Sequence, residues 1–111
     1  MAVSKKGSRN ITVEGHKFRW RAIGGDDLIT VLIWPVSNER SLLIGTFAYH
    51  QKITKKEEGG YALSEQLIVT NRLIRDIILH YGTDVLIANN KRMDVGALEK
   101  IVDISQALRA K

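Results

Sequence analysis

Thr70 to Gly82, TNRLIRDIILHYG, is the stretch from which the rest of the chain can be read. Its apolar residues Leu73, Ile74, Ile77, Ile78 and Tyr81 recur at the i, i+3, i+4, i+7, i+8 spacing that puts one wide stripe on an α-helix. Thr70 suits the start, because its hydroxyl can accept from an otherwise unpaired backbone N–H of the first turn. Gly82 suits the end, since glycine takes the left-handed conformation without a side-chain penalty. Asn71, Arg72, Arg75 and Asp76 fall on the opposite side. The helix therefore lays one face on something apolar.

Upstream, two segments are apolar on both faces. Leu28 to Trp34 alternates Ile29, Val31 and Ile33 with Leu32 and Trp34 beside Thr30, and Ser41 to Tyr49 sets Leu42, Ile44 and Ala48 against Leu43, Phe47 and Tyr49. Both read as strands, separated by Pro35, which cannot donate to a sheet ladder, and by the turn Ser37-Asn38-Glu39-Arg40. At about 25 cal/mol per Å² of apolar surface, leaving one side of two such strands in water forfeits several kcal/mol. The second face is expected to be covered, by a C-terminal helix or by another subunit.

Farther upstream, Asn10 to Val13 and Lys17 to Ile23 flank Glu14-Gly15-His16, a hairpin signal. In the second run Phe18, Trp20 and Ala22 point one way, and Lys17, Arg19 and Arg21 the other. Gly24-Gly25-Asp26-Asp27 supplies the next turn. Downstream of the two central strands, Gln51 to Gly60 reads as a charged loop, and Ala62 to Val69 as a last strand, surest over Leu67 to Val69. After Gly82, Val85 to Ala88 reads as a short strand or an apolar anchor, and Asn89 to Arg92 as a polar turn. Leu98, Ile101, Val102 and Leu108, with Ile104 or Ser105 at the seam, predict a second amphipathic helix to about Ala110. Asp94 would cap it, unless the poor helix former Gly96 leaves Met93 to Val95 extended. The expected fold is α+β: an antiparallel β-meander of four to five strands packed against one long amphipathic helix, with a second, C-terminal helix. Residues 1–9 read as a flexible basic arm and residues 10–111 as a single domain.

Composition narrows the function classes. A chain of 111 residues suits one domain with its own core, and without cysteine it has no disulfide, thiolate metal site or cysteine nucleophile. No signal-peptide core follows Met1, and the longest apolar run, Leu28 to Trp34, is too short for a bilayer. A cytoplasmic protein with no membrane partner is the expectation. The charge is uneven. Residues 1–22 hold six cations, Lys5, Lys6, Arg9, Lys17, Arg19 and Arg21, against the single anion Glu14, while residues 23–111 hold eleven of each sign. The net charge of +5 thus belongs to the first fifth of the chain.

Catalytic and metal chemistry find little to stand on. His16, His50 and His80 lack a second ligand type at metal-binding spacing. Asp26-Asp27 and Glu57-Glu58 are adjacent carboxylates in turns, where neighbours point apart into solvent. Gly24-Gly25 and Gly59-Gly60 lack the spaced glycines and lysine of a phosphate loop, and no serine has a nucleophile-elbow context. No cofactor is expected. The basic hairpin remains: Lys17, Arg19 and Arg21 on one strand face, with Lys5, Lys6 and Arg9 on the adjoining arm, would concentrate positive charge for phosphates or an acidic protein. Trp20 points away from them, so no stacking platform for bases accompanies the cations. The plainer reading is a solvated strand face that keeps a sheet edge from pairing with another chain.

The run Gly7-Ser8-Arg9-Asn10-Ile11-Thr12-Val13-Glu14-Gly15-His16-Lys17-Phe18-Arg19-Trp20-Arg21 resembles the opening of a family of small uncharacterised bacterial proteins, with a G-S-R-x-I-T-V-x-G hairpin followed by an aromatic-R-W-R strand. Ile68-Val69-Thr70 leading into Leu73-Ile74-Arg75 is similar to that family's helix entry, and Gly96-Ala97-Leu98-Glu99-Lys100-Ile101 to its C-terminal segment. The chain departs from the pattern at Asn71, where the family has proline, and at Thr83 and Val85, where a Trp-x-Pro would stand. The resemblance implies a compact fold and, the family having no assigned activity, transfers no functional residue.

The functional expectation is a small non-enzymatic interaction protein that self-associates, as a dimer, through its two-faced strands. A basic nucleic-acid-binding module using the N-terminal hairpin is the alternative, and an enzyme of unknown reaction a second one.

Overall fold

The computed structural model describes residues 7–25, 28–48, 53–55, 61–63, 65–104 and 108–110. Its first strands are set by a two-residue turn: Glu14 and Gly15 both hold positive φ, 51° and 79°, the combination that matches the twist of a hairpin. This turn joins β1 (Arg9–Val13) to β2 (His16–Gly24) and fixes the register from Val13 opposite His16 to Arg9 opposite Trp20. Then β3 (Leu28–Pro35) and β4 (Leu42–Ala48) extend an antiparallel meander, with Arg19 opposite Trp34 and Leu32 opposite Ile44. Pro35 closes β3, as its missing N–H requires.

Three short strands follow, β5 (Ile53–Lys55), β6 (Tyr61–Leu63) and β7 (Glu65–Leu67), all outside the main sheet. Next comes α1 (Asn71–Tyr81), capped as its sequence predicts: Thr70 Oγ1 accepts from the Leu73 N–H at 3.3 Å, and the Gly82 N–H donates to the Ile78 carbonyl at 2.8 Å. Gly82, at φ 95°, turns the chain directly into α2 (Thr83–Ala88). A fifth strand of the main sheet, β8 (Arg92–Ala97), then pairs in parallel with β4, giving the order β1-β2-β3-β4-β8. A parallel neighbour needs a crossover, and the helices provide it. One turn of 3-10 helix (Leu98–Lys100) follows, and β9 (Leu108–Ala110) pairs with β7.

The α1 stripe packs on one face of this sheet. Leu73, Ile74, Ile77 and Ile78 are buried in one cluster with Phe18, Trp20, Val31, Ile33, Leu43 and Phe47. At the Trp20 end, the indole Nε1–H donates to Asn71 Oδ1 at 2.8 Å and pins the helix start to β2. At the other end, Ser41 Oγ donates to the Leu86 carbonyl, and Asn38 Nδ2 to the Ile87 carbonyl at 2.7 Å, so the β3–β4 turn is tied to α2. Near the 3-10 turn the backbone must come close: Leu98 is fully buried against Gly45, and there the β4–β8 register shifts so that Gly45 faces Gly96 and Val95 is passed over.

The α+β class, the meander and the helix-on-sheet packing are as the sequence predicts. The second helix is not where it was expected. It lies at Thr83–Ala88, where the sequence suggests a short strand or an apolar anchor, while the expected C-terminal helix gives way to β8, the 3-10 turn and β9. The extended alternative for Met93 to Val95 is correct. Ala62 to Val69 does not form one strand: β7 ends at Leu67, and Ile68 and Val69 lead into the α1 cap. Among the described residues of 98–110 there is no α-helix, so the second sheet face is not roofed in the expected way. Trp34 and Leu42 are buried on that side, yet Ile23 and Leu28 are 40% and 46% exposed.

Candidate anion-binding face

Alternation along β2 decides the electrostatics of the sheet. Phe18 and Trp20 go under α1, so Lys17, Arg19 and Arg21 stand together on the second face, on a strand held by neighbours on both sides. Alternate residues of a strand are roughly 6.7 Å apart, which makes three evenly spaced cations. Lys17 is exposed, and Arg19 and Arg21 are half-buried. Arg19 Nε donates to Ser8 Oγ at 3.0 Å, which orients its guanidinium, and Gly7 runs beside the Arg21 Nε. No carboxylate of the described residues pairs with any of the three; Asp94, on the same face at the far edge, is taken by Arg92 at 3.2 Å.

The expected cationic cluster is split by the register. Arg9 belongs to β1, not to an arm, and opposite Trp20 it projects to the helix-side face, its guanidinium carbon 5.5 Å from the Trp20 ring centroid. It does not join Lys17, Arg19 and Arg21. Lys5 and Lys6 lie outside the described residues, as do Asp26-Asp27, His50, Glu57-Glu58 and Gly59-Gly60.

Sequence reasoning missed two members of this face. Ser8 orients Arg19, and Trp34 lies directly across from Arg19. Alternation with Ile33 puts Trp34 on the second face from sequence alone, but only the pairing register sets it opposite Arg19. Trp34 is 3% exposed, so it underlies the cations and offers no surface for a base. His16 is exposed at the start of β2, and His80 is exposed with its ring edge-on to Tyr81, centroids 5.0 Å apart. Burial raises the Tyr81 phenol pKa above its ordinary value. Among the described residues no group of three or more His, Asp or Glu is placed to hold a metal ion, and no helix is long and apolar enough to cross a membrane. Compared with protein-family models, with curated proteins and with solved structures, the chain matches none.

Proposed function

We propose that this protein is a small non-enzymatic binding module that holds a nucleic-acid phosphate backbone against the second face of its sheet. The observation that carries this reading is the row Lys17, Arg19 and Arg21 on one face of β2, unpaired by any carboxylate of the described residues. Cations so placed can replace condensed counterions on a polyanion, and the release of those counterions drives binding. With Trp20 turned under the helix and Trp34 buried, the face lacks the aromatic platform of a single-strand binder. Duplex should therefore bind at least as well as single strand, with little sequence preference. Retention of the protein on a mixed-sequence duplex and on a single strand, measured at low and at raised salt, tests this. Salt-sensitive retention on duplex supports it; no retention at low salt sinks it.

A second copy of the chain is the other reading, favoured by Ile23 and Leu28, exposed at one end of the same face. Two-fold pairing there would bring cation rows toward each other, which disfavours it at low salt. Light scattering separates the two: a dimer lost on Leu28→Glu, without salt-sensitive retention on nucleic acid, would favour the second.

A further inference from the structure

β1 (Arg9–Val13) is an edge of the main sheet, with β2 on one side and no strand of the described residues on the other. The hairpin decides which of its backbone groups face outward. Val13 and His16 flank a two-residue turn and so exchange ladder bonds, which puts Ile11 and Arg9 in the bonded set and leaves Asn10 and Thr12 out of it. The Lys17 carbonyl, opposite Thr12, agrees: it accepts from the Val36 N–H and so faces β3. The N–H and C=O groups of Asn10 and Thr12 therefore point off the sheet, and no described residue bonds to them. Both residues are exposed.

The two edges of this sheet differ. The β8 edge carries Arg92, Asp94 and Gly96 and a register shift, devices that keep further strands from adding. Asn10-Ile11-Thr12 has no charge, proline or bulge. Nor do the cations of β2 guard it, since β2 lies inside the sheet; two of them reach toward it. Arg19, opposite Asn10, sends its Nε to Ser8 Oγ at 3.0 Å, and the Arg21 Nε lies 3.6 Å from where a Cβ on Gly7 would stand, so both side chains extend to the β1 side. The Nε bond leaves the terminal Nη donors of Arg19 for a carboxylate.

A strand added here would bond through residues directly opposite Asn10 and Thr12. Opposed residues share a face, so those two side chains stand on the cation side, across the short Asn10 and Thr12 from Arg19 and Lys17. Two strand spacings, roughly 10 Å, separate the backbones, a span that an acidic and a basic side chain cover together. The residue between them falls on the other face beside Ile11, which is half-buried against the core. We propose that β1 takes an extended acidic segment of a partner protein as a further strand, in the pattern acid, apolar, acid. Main-chain bonds run to Asn10 and Thr12, the carboxylates face Arg19 and Lys17, and the apolar residue covers Ile11. A second copy of the chain fits less well, since its own β1 holds no carboxylate and it adds a second cation row. A nucleic-acid backbone can meet the cations but has no strand to add.

The test is an NMR titration of the whole chain with the peptide acetyl-Ser-Glu-Val-Glu-Val-Glu-Ser-amide, following the Asn10 and Thr12 amides. The peptide should shift both with saturation and slow their exchange with solvent. Two further forms carry N-methyl groups, one on the glutamates and one on the valines, with the charge kept. Glutamate N–H groups face β1 in the bound strand and valine N–H groups face away. The N-methyl-glutamate form should therefore bind at least about ten-fold more weakly, for two or more lost ladder bonds, and the N-methyl-valine form within about three-fold of the unmodified peptide. Lysine in place of glutamate should abolish binding. Thr12→Pro removes one outward donor without touching the β1–β2 ladder and should weaken the acidic peptide about three-fold or more. Equal binding of all three acidic forms would overturn the proposal, because charge alone would then hold the peptide, as would the absence of any shift in millimolar excess. A duplex that shifts these amides where no peptide does would overturn it too, and a dimer by light scattering that Thr12→Pro dissolves would give the edge to a second copy instead. The peptide comparisons use the parent protein and hold even if the variant fails to fold.

Discussion

Leu98 stands directly over the α-carbon of Gly45, so close that a Cβ at position 45 would come within 2.5 Å of Leu98 Cγ. Leu98 is fully buried and cannot swing away, and Gly45 lies on β4 between its partners Val31 and Gly96. Gly45→Ala should therefore cost on the order of 1–3 kcal/mol by overpacking. Combining it with Leu98→Ala should cost less than the sum of the two single changes, because the clash disappears with the leucine. Denaturant melts of the two single variants and the double variant check this; strict additivity would mean that the two residues do not touch.

The stripe of α1 gives a second outcome. Ile77 is fully buried and Arg75 exposed, two positions apart on one helix. Ile77→Ala should lose roughly 2–4 kcal/mol through lost burial and a residual cavity, and Arg75→Ala less than about 0.5 kcal/mol. Equal losses in denaturant melts would reassign the face.

Glu14 is a non-glycine residue at φ 51° in the β1–β2 turn. That conformation costs an ordinary L-residue roughly 1 kcal/mol, and asparagine tolerates it better. Glu14→Asn should raise stability by about 0.5–1 kcal/mol, seen as a higher denaturation midpoint with an unchanged slope. A lower midpoint would show that Glu14 makes a stabilising contact the turn geometry does not reveal.

For the cationic face, replacing Lys17, Arg19 and Arg21 together by Ser removes up to three phosphate contacts. The slope of log K against log salt for duplex binding should fall by about 2–3. Arg9→Gln, on the other side of the sheet, should change that slope little. Equal losses for the two variants would show that the face is not the binding surface.

The elements legible in the sequence are those whose signal is local. Thr70 to Gly82 carries its own cap, stripe and stop, and the meander strands carry their own alternation. The misread elements depend on partners far along the chain. Val85 to Ala88 is four apolar residues of a helix only six long, too short for a period to show against a strand pattern. Met93 to Ala97 becomes a strand because the β4 edge is free to pair with it, a gain that no helical or extended propensity records. The cation row followed from alternation alone. The position of Arg9 did not: it needed the length of the Glu14-Gly15 turn, which sets every pair of the hairpin back to Trp20. With a two-residue loop assumed, the same counting would have put Arg9 over Trp20.

The place of β8 bears on how the chain is made. Four strands of the sheet are contiguous in sequence and can pair as they emerge from the ribosome, but the β4 edge must wait for residues 92–97, after both helices have been synthesised. Until then the backbone from Leu42 to Thr46 is an open template that carries Leu43 and is followed by Phe47, the kind of edge on which nascent chains stick to one another. With β8 the last strand of this sheet to be made, a chain released before Arg92 is expected to aggregate even though both helices and the meander are complete.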